Sequence, residues 1–547
     1  MSSRQATPRR AATSPAPDLD ALIVGAGFAG LYMLYRMRDV LGLKARVYER
    51  GDGVGGTWFW NRYPGARCDS ESFYYSYSFS EELEQEWDWT SKYPEQPEIL
   101  SYLNHVADRF ELRRDIQLDT CVTEANFDEA ANCWDVRTEA GERITARFLI
   151  AAVGCLSAAN VPDIPGLDQF EGDWYHTGAW PHQEVDFSGK RVGLIGTGST
   201  GIQATPVIAA QADHLTVFQR TANFSVPTRN ARYTPEAWAE IKANYREIRR
   251  IVRASNGGFP YVMQDRSAFD VSDEERTEIY EGLWKDGGFK FLWGSFNDLL
   301  TDSDANTTAA DFIRGKIRET VKDPGVAAML TPNDHPFATK RPPIDTHYFA
   351  TFNRDNVTLV DIRNAPITEI TPHGLRTENA EYELDTIVFA TGFDAMTGSL
   401  LKMGIRGVGG RTLAGKWADG PKTYLGLQIA GFPNLFTITG PGSPSVLSNM
   451  PVSIELHAEW ISDCIDHMRE HGFRRIEAEV EAEDRWVDHV SNVADLTLHK
   501  QANSWYLGAN IPGKKRVFMP YVGGLELYNN LCNYVVNNGY SGFELSS

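Results

Sequence analysis

Apolar and polar positions along this chain follow an order that repeats. A short run that is apolar throughout, Ala21-Leu-Ile-Val24, leads into a glycine turn and then into Leu31–Val40, where apolar residues recur at helical spacing. The same order returns at Arg191–Ile195, a second glycine turn and Ile202–Ala212, with a further strand at His214–Gln219. Strands that are apolar on both faces belong in parallel sheets covered by helices. Between residues 231 and 330 the pattern changes. Glu236–Ser255 and Asn306–Asp323 carry apolar residues at i, i+3 and i+4 among polar ones, and Ser272 with Glu275 reads as a capping box opening another helix. Strand text resumes at Asn356–Ile362 and Glu383–Asp394, and helices return near 453–470. The pattern predicts an α/β chain with two doubly wound, Rossmann-like dinucleotide-binding domains and a helical insertion. The expected boundaries are a disordered tail over 1–17, a discontinuous first domain over 18–155 plus 386–547, a second over 156–230 plus 331–385, and the insertion over 231–330.

Charge narrows the partners. The 547 residues hold 53 Lys plus Arg against 73 Asp plus Glu, a net charge of −20 that repels phosphate backbones and anionic lipid. Neither nucleic acid nor a membrane is expected. No apolar run approaches the ~20 residues of a membrane-spanning helix, and residues 1–17 offer no secretory apolar core, so a soluble, cytoplasmic protein is expected. The six cysteines (Cys68, Cys121, Cys133, Cys155, Cys464 and Cys532) contain no C-x-x-C pair. This speaks against a zinc site, a dithiol redox centre or a disulfide framework, and no metal is expected. With no G-x-S-x-G elbow and no H-E-x-x-H, hydrolase readings have no foothold.

The two glycine turns carry the chemistry. Gly25-Ala-Gly27-Phe-Ala-Gly30 sits between strand and helix, where bare backbone can approach a pyrophosphate at the helix N-terminus, and Glu49 follows 24 residues after its first glycine. An acid at that spacing can hydrogen-bond both ribose hydroxyls. Gly196-Thr-Gly198-Ser-Thr-Gly201 has Arg220 at the same spacing. A guanidinium there binds a 2′-phosphate that a carboxylate would repel. The first site therefore suits FAD and the second NADP, with Thr197, Gly198, Ser199, Thr200, Gln203 and Thr221 as further contacts. Singly, each motif also reads as turn glycines with a solvated arginine; two complete copies favour nucleotides. Gly55-Gly56-Thr57-Trp58 and the strand endings AAVG (151–154) and FATG (389–392) add support.

With these motifs placed, the chain resembles the flavin-dependent monooxygenases. The run Phe170-Glu-Gly172-Asp-Trp-Tyr-His176-Thr-Gly-Ala-Trp180-Pro181 fits the F-x-G-x-x-x-H-x-x-x-W-P fingerprint of the type I Baeyer–Villiger monooxygenases, with phenylacetone and steroid monooxygenases most alike. The resemblance implies NADPH- and dioxygen-dependent oxidation of a ketone to an ester or lactone, through a flavin peroxide and a tetrahedral adduct. By resemblance, the cation that stabilises both is Arg341, held by Asp69, while Lys340 is a second contact to the NADP phosphate. From the residues alone, these three read equally as a surface ion pair and its neighbour. The resemblance adds Gly56, Thr57, Trp58, Asp69, Tyr75 and Met450 to the flavin contacts, and Arg341 and Trp505 to those of NADP. Trp505 lies in a C-terminal loop that closes over the site in relatives, where Gly508 and Gly513 would let it move. Trp505 and Met450 also read as ordinary core. His176 and Trp180 are assigned to coupling between domains in preference to chemistry. Cys155 departs from the polar amide of phenylacetone-type relatives. The alternatives are an FAD- and NADPH-dependent N- or S-oxygenase, against which Trp180-Pro181 argues, and a flavoprotein reductase.

Overall fold

A computed structural model describes residues 16–547, so the tail expected over 1–17 lies, but for its last two residues, outside the described part. The first sheet begins with β1 (Leu19–Val24), β2 (Ala45–Tyr48) and β3 (Ile116–Gln117), and continues with β4 (Val122–Asp128), β5 (Cys133–Thr138) and β6 (Arg143–Ala151). Strands β6, β1, β2 and β3 run side by side in parallel, whereas β4, β5 and β6 form an antiparallel meander at the other end. A late strand, Leu435–Thr437, also lies parallel to β6, so the C-terminal part of the chain returns to this sheet.

The second sheet holds β7 (Asp173–His176), β8 (Arg191–Ile195), β9 (His214–Gln219), β10 (Val357–Asp361) and β11 (Thr386–Phe389). Its order is β10, β9, β8, β11, β7, with every pair parallel. This corrects one expected boundary. A division at 385/386 falls in front of β11, whereas β11 is hydrogen-bonded between β8 and β7 and belongs with the second sheet. Periodicity identified the strand, but strand partners are chosen by non-local pairing that a linear pattern does not carry.

Each first βα unit places a helix behind its glycine turn: α1 (Phe28–Tyr35) and α2 (Ser199–Gln211). The insertion is helical as read, with α3 (Pro235–Arg253), α4 (Asp273–Asp286) and α5 (Ser303–Thr320) among its elements. Ser272 caps α4, its Oγ accepting from the Glu275 amide at 3.2 Å, but the Glu275 carboxylate turns to Arg266 instead of closing the box. Phe291, Ile313 and Ile317 of the insertion share a core with Val192, Leu194 and Leu215 of the second sheet. Arg249 of α3 reaches the other half. It is buried and donates to Glu84 Oε1 (2.6 Å), Ser76 Oγ (2.9 Å) and the Tyr77 carbonyl (3.0 Å), pinning the segment just after Asp69 and Tyr75. A buried guanidinium is tolerated only when its donors are met in this way. Helix α6 (Met450–His471) packs on α1, where Arg36 Nε donates to Ser462 Oγ at 2.7 Å. Among the described residues no helix is long and apolar enough to cross a membrane.

Candidate functional site

The two glycine turns are copies in three dimensions. Gly25 and Gly196 adopt φ of +104° and +112°, and a Cβ on either would lie 2.6 Å from the Ala152 carbonyl or 2.4 Å from that of Ala390. Those carbonyls belong to the AAVG and FATG strand endings, which thus occupy equivalent places in the two halves. Gly27 and Gly198, at φ/ψ of −83°/−165° and −81°/−169°, cap α1 and α2 without any side-chain hydrogen bond. The first amides of both helices are left for an anion. Gly30 departs from expectation. It does not line the cavity; a Cβ there would sit 1.7 Å from the Gly25 carbonyl, and Gly201 stands likewise against Gly196 (2.1 Å). The third glycine of each motif serves helix-on-strand packing.

Both turns open onto one cavity of about 1510 Å³, larger than the roughly 300 to 1,000 Å³ of a single small-ligand pocket. Of the expected site residues, Gly25, Gly27, Glu49, Gly56, Thr57, Trp58, Asp69, Tyr75 and Met450 line it, as do Thr197, Gly198, Ser199, Thr200, Gln203, Arg220, Thr221, Lys340, Arg341 and Trp505. The buried Glu49 carboxylate is held by the amides of Ala26 (2.7 Å) and Gly51 (2.8 Å), one on each oxygen. Each oxygen keeps a lone pair, as a ribose diol requires. At the second turn Arg220 is exposed, and among the described residues neither it nor Lys340 has a carboxylate within 4.0 Å. Burial depresses the Lys340 ammonium, Asp334 opposes that, and the nearby Arg220 charge adds to it. Two neighbouring cations, neither in an ion pair among the described residues, suit a phosphate. Gln203 is a bridge between halves: Tyr63 donates to its Oε1 at 2.8 Å and its Nε2 donates to the Arg67 carbonyl at 3.2 Å.

Arg341 and Asp69, 272 residues apart, meet in the cavity wall. Nε and Nη2 of the arginine donate to the two carboxylate oxygens at 2.7 and 2.9 Å, and Nη1 donates to the Val446 carbonyl at 2.7 Å. Three of five N–H donors are engaged, so two remain for a ligand. The guanidinium lies 4.8 Å above the buried Phe289 ring, which shields that face from water. Burial pulls its pKa down, but the charge and hydrogen bonds of Asp69 outweigh this and hold it above its ordinary value. Burial, with the Asp69 charge, pushes the neighbouring Cys68 thiol well up, so the arginine faces no competing thiolate.

His176 and Trp180 stand off the cavity wall. His176 Nδ1 accepts from the Gly178 amide at 3.0 Å and its Nε2 lies 3.3 Å from Thr391 Oγ1, while burial lowers its pKa. Trp180 packs in the second core with Phe187. Met450 and Trp505, open in sequence between wall and core, are both: half-buried, packed on apolar neighbours and lining the cavity. Cys155 lines it too, its thiol pushed up to about 11 by burial. Sequence reading missed the Val446 carbonyl and the Phe289 ring, since neither residue type signals a role.

One further histidine links pH to this wall. Thr439 lines the cavity, and its amide donates to Nδ1 of His457 at 2.9 Å, while Nε2 lies 2.8 Å from the Tyr528 hydroxyl. Burial lowers the His457 pKa from 6.5 to about 3. The unfolded ring takes up a proton that the folded one refuses, so its stabilising contribution is complete above pH 6.5 and fades as pH falls below it, about tenfold per unit. Acidification from pH 7 to 5 is expected to lower the thermal unfolding midpoint, read by calorimetry, and to do so less in His457→Gln; an equal shift in both proteins would overturn the link.

Fold and site together define a flavoprotein oxidoreductase with two dinucleotide sites on a shared cavity. A sequence-family profile described as pyridine nucleotide-disulphide oxidoreductase matches residues 22–281, although all six cysteines here are free. A Baeyer-Villiger monooxygenase of Pseudooceanicola batsensis is 48% identical over 526 residues, covering 96% of each chain. Phenazine N-monooxygenase PhzNO1 of Lysobacter antibioticus is 46% identical, covering 96% of this chain and 97% of its own. The solved structure of an oxidized steroid monooxygenase bound to NADP is 54% identical with a TM-score of 0.92, covering 96% of this chain and 99% of its own. The chain belongs to the Baeyer–Villiger monooxygenases.

Proposed function

We propose that this enzyme oxidises a ketone to an ester or lactone with NADPH and dioxygen, and that the Arg341–Asp69 pair in the shared wall is its reacting centre. The observation that carries this is the arginine itself, fixed on two sides with two donors to spare. Bound FAD and NADPH would supply the reducing equivalents and the activation of dioxygen. Glu49 and the α1 N-terminus hold the ribose and pyrophosphate of the first nucleotide. The α2 N-terminus, Arg220 and Lys340 hold those of the second, including its 2′-phosphate. Asp69 keeps the guanidinium charged and oriented, so that its free N–H groups meet the negative charge that develops on oxygen as the carbonyl carbon becomes tetrahedral. Phe289 limits water around it, which strengthens that interaction. We assign residues 18–155 and the chain after β11 to the flavin half, 156–230 with 331–389 to the NADP half, and His176 to the coupling between them.

A panel of aryl, steroidal, cyclic and linear ketones, assayed by NADPH loss and product mass, tests the reading. Ketone-dependent NADPH consumption with a product heavier by one oxygen is expected; consumption without such a product would leave a reductase. The 46%-identical phenazine N-monooxygenase motivates a second reading, oxygenation at nitrogen. An aromatic N-heterocycle in the same panel decides it: an N-oxide with no ester from any ketone would replace the first reading.

A further inference from the structure

Beside the two cations of the second nucleotide site the cavity wall carries a carboxylate that has no part in the reading above. Asp334 lines the cavity together with Arg220 and Lys340. It stands six residues before Lys340, and the chain between them turns back on itself. The Thr339 hydroxyl and amide both donate to the Pro336 carbonyl, at 2.7 and 3.4 Å, and Ala338 adopts φ of +63°. Asn306 of the insertion fixes this turn, accepting from the Phe337 amide at 2.8 Å and donating to the Phe337 carbonyl at 2.9 Å. Asp334 and Lys340 are thereby presented on one wall.

Asp334 is also held in place. His335 Nδ1 lies 2.6 Å from Asp334 Oδ1, and the ring is 1% exposed where the carboxylate is 41% exposed. The ring stands edge-on to the buried Phe224, centroids 5.3 Å apart, and Phe224 follows Arg220 by four residues. The dyad is therefore packed against the segment that carries the first cation. Burial lowers the pKa of the ring against the pull of Asp334, and the charges of Lys340 and Arg314 add to the lowering. A neutral ring has one N–H and an ionised carboxylate only accepts, so that N–H is on Nδ1. The hydrogen bond from His335 and the Lys340 charge outweigh burial and hold the Asp334 carboxyl below its ordinary value, so it is ionised at neutral pH.

We propose that Asp334 is a specificity-determining residue of the second nucleotide site, a fixed negative charge that balances Lys340 and Arg220 before coenzyme binds and opposes the 2′-phosphate once it is bound, with His335 as its positioning residue. That the opposed charge is a 2′-phosphate rests on the NADPH reading above. Among the described residues Asp334 pairs with His335 and with neither cation, so it leaves their direct contacts open. Its charge acts through space, and in a half-open wall such a repulsion is modest and screened by salt. The site thus attracts the phosphate and still gives up spent coenzyme at each turnover.

The test titrates NADP+ and NAD+ into the full-length flavin-loaded enzyme by calorimetry, with NAD+ as the control that lacks the phosphate. Asp334→Asn keeps an acceptor for His335 and removes the charge. At pH 7 it should bind NADP+ about fivefold more tightly and NAD+ as before, and most of the gain should vanish in about 1 M salt. Asp334→Glu keeps the charge and should hold NADP+ much as the unmodified enzyme does. A pH series gives a second readout. Asp334 supports the Lys340 ammonium against burial and against the Arg220 charge, so without it the ammonium is lost at a lower pH. The alkaline weakening of NADP+ binding should therefore begin earlier in Asp334→Asn, a displacement that a merely structural role would not produce. Unchanged or weaker NADP+ binding in Asp334→Asn at pH 7 overturns the proposal, and so does an equal change for both coenzymes. An unmodified enzyme that binds NAD+ as tightly as NADP+ sinks the phosphate reading, and this role with it, before any variant is compared.

Discussion

Arg341→Ala is expected to lose ester formation by about a hundredfold to a thousandfold while keeping its flavin. Removing one preorganised donor to a developing oxyanion costs around 3 to 4 kcal/mol, and here the donor is a cation whose charge is sustained by Asp69 at 2.7 and 2.9 Å. Flavin should be retained because Arg341 lies outside both glycine turns. The variant is expected to divert electrons from NADPH to hydrogen peroxide in place of ester, measured as the ratio of peroxide to ester per NADPH. Arg341→Lys sharpens the test. An ammonium cannot span both Asp69 oxygens and the Val446 carbonyl as the planar fork does, and in a dry wall it can shed its proton. Near-normal ester yield from the alanine variant would remove Arg341 from the reaction.

Arg220→Ala should raise the KM for NADPH about thirtyfold, the equivalent of roughly 2 kcal/mol for a charge-assisted contact to phosphate, and hardly alter that for NADH. Arg220 is exposed and unpaired among the described residues, so the substitution breaks no internal contact and the fold should be untouched. Equal loss with both coenzymes would show that it serves something other than the phosphate. Lys340 adds a pH signature. Burial lowers its pKa, and bound phosphate would raise it again, so its contribution is full below the depressed value and fades as pH rises through it. The KM for NADPH should therefore climb in the alkaline range ahead of an ordinary lysine, and Lys340→Arg should flatten the profile.

The parts of the site that were legible in the chain are local ones. Gly25 with Glu49, and Gly196 with Arg220, belong to single βα units, in which one strand, one turn and the next strand end set the distance from phosphate to ribose. Spacing in sequence is then spacing in space, and one acid and one cation at equal spacing are what the proposed assignment of the two halves rests on. The family fingerprint at 170–181 was equally legible, although its histidine and tryptophan lie off the cavity wall. Gly30 was read as a nucleotide contact because the motif includes it; the close approach to the Gly25 carbonyl, invisible in text, makes it a packing residue.

The sequence by itself determined the two nucleotide folds and the helical character of the insertion, and it supplied the acid and the cation on which the proposed assignment of the two nucleotides rests, because strand and helix periods and glycine turns are written in consecutive residues. Tertiary structure alone decided what stands between the nucleotides. Strand β11 entered the second sheet by pairing with β8 and β7. Asp69 and Arg341 became one group across 272 residues, and the Val446 carbonyl came to hold that group from a segment where Ser445 adopts φ of +42°. Asp394 met Lys514 across 120 residues. Such pairings depend on how separate elements pack, and a charged side chain in sequence looks the same whether it ends in solvent or against its partner in a buried wall.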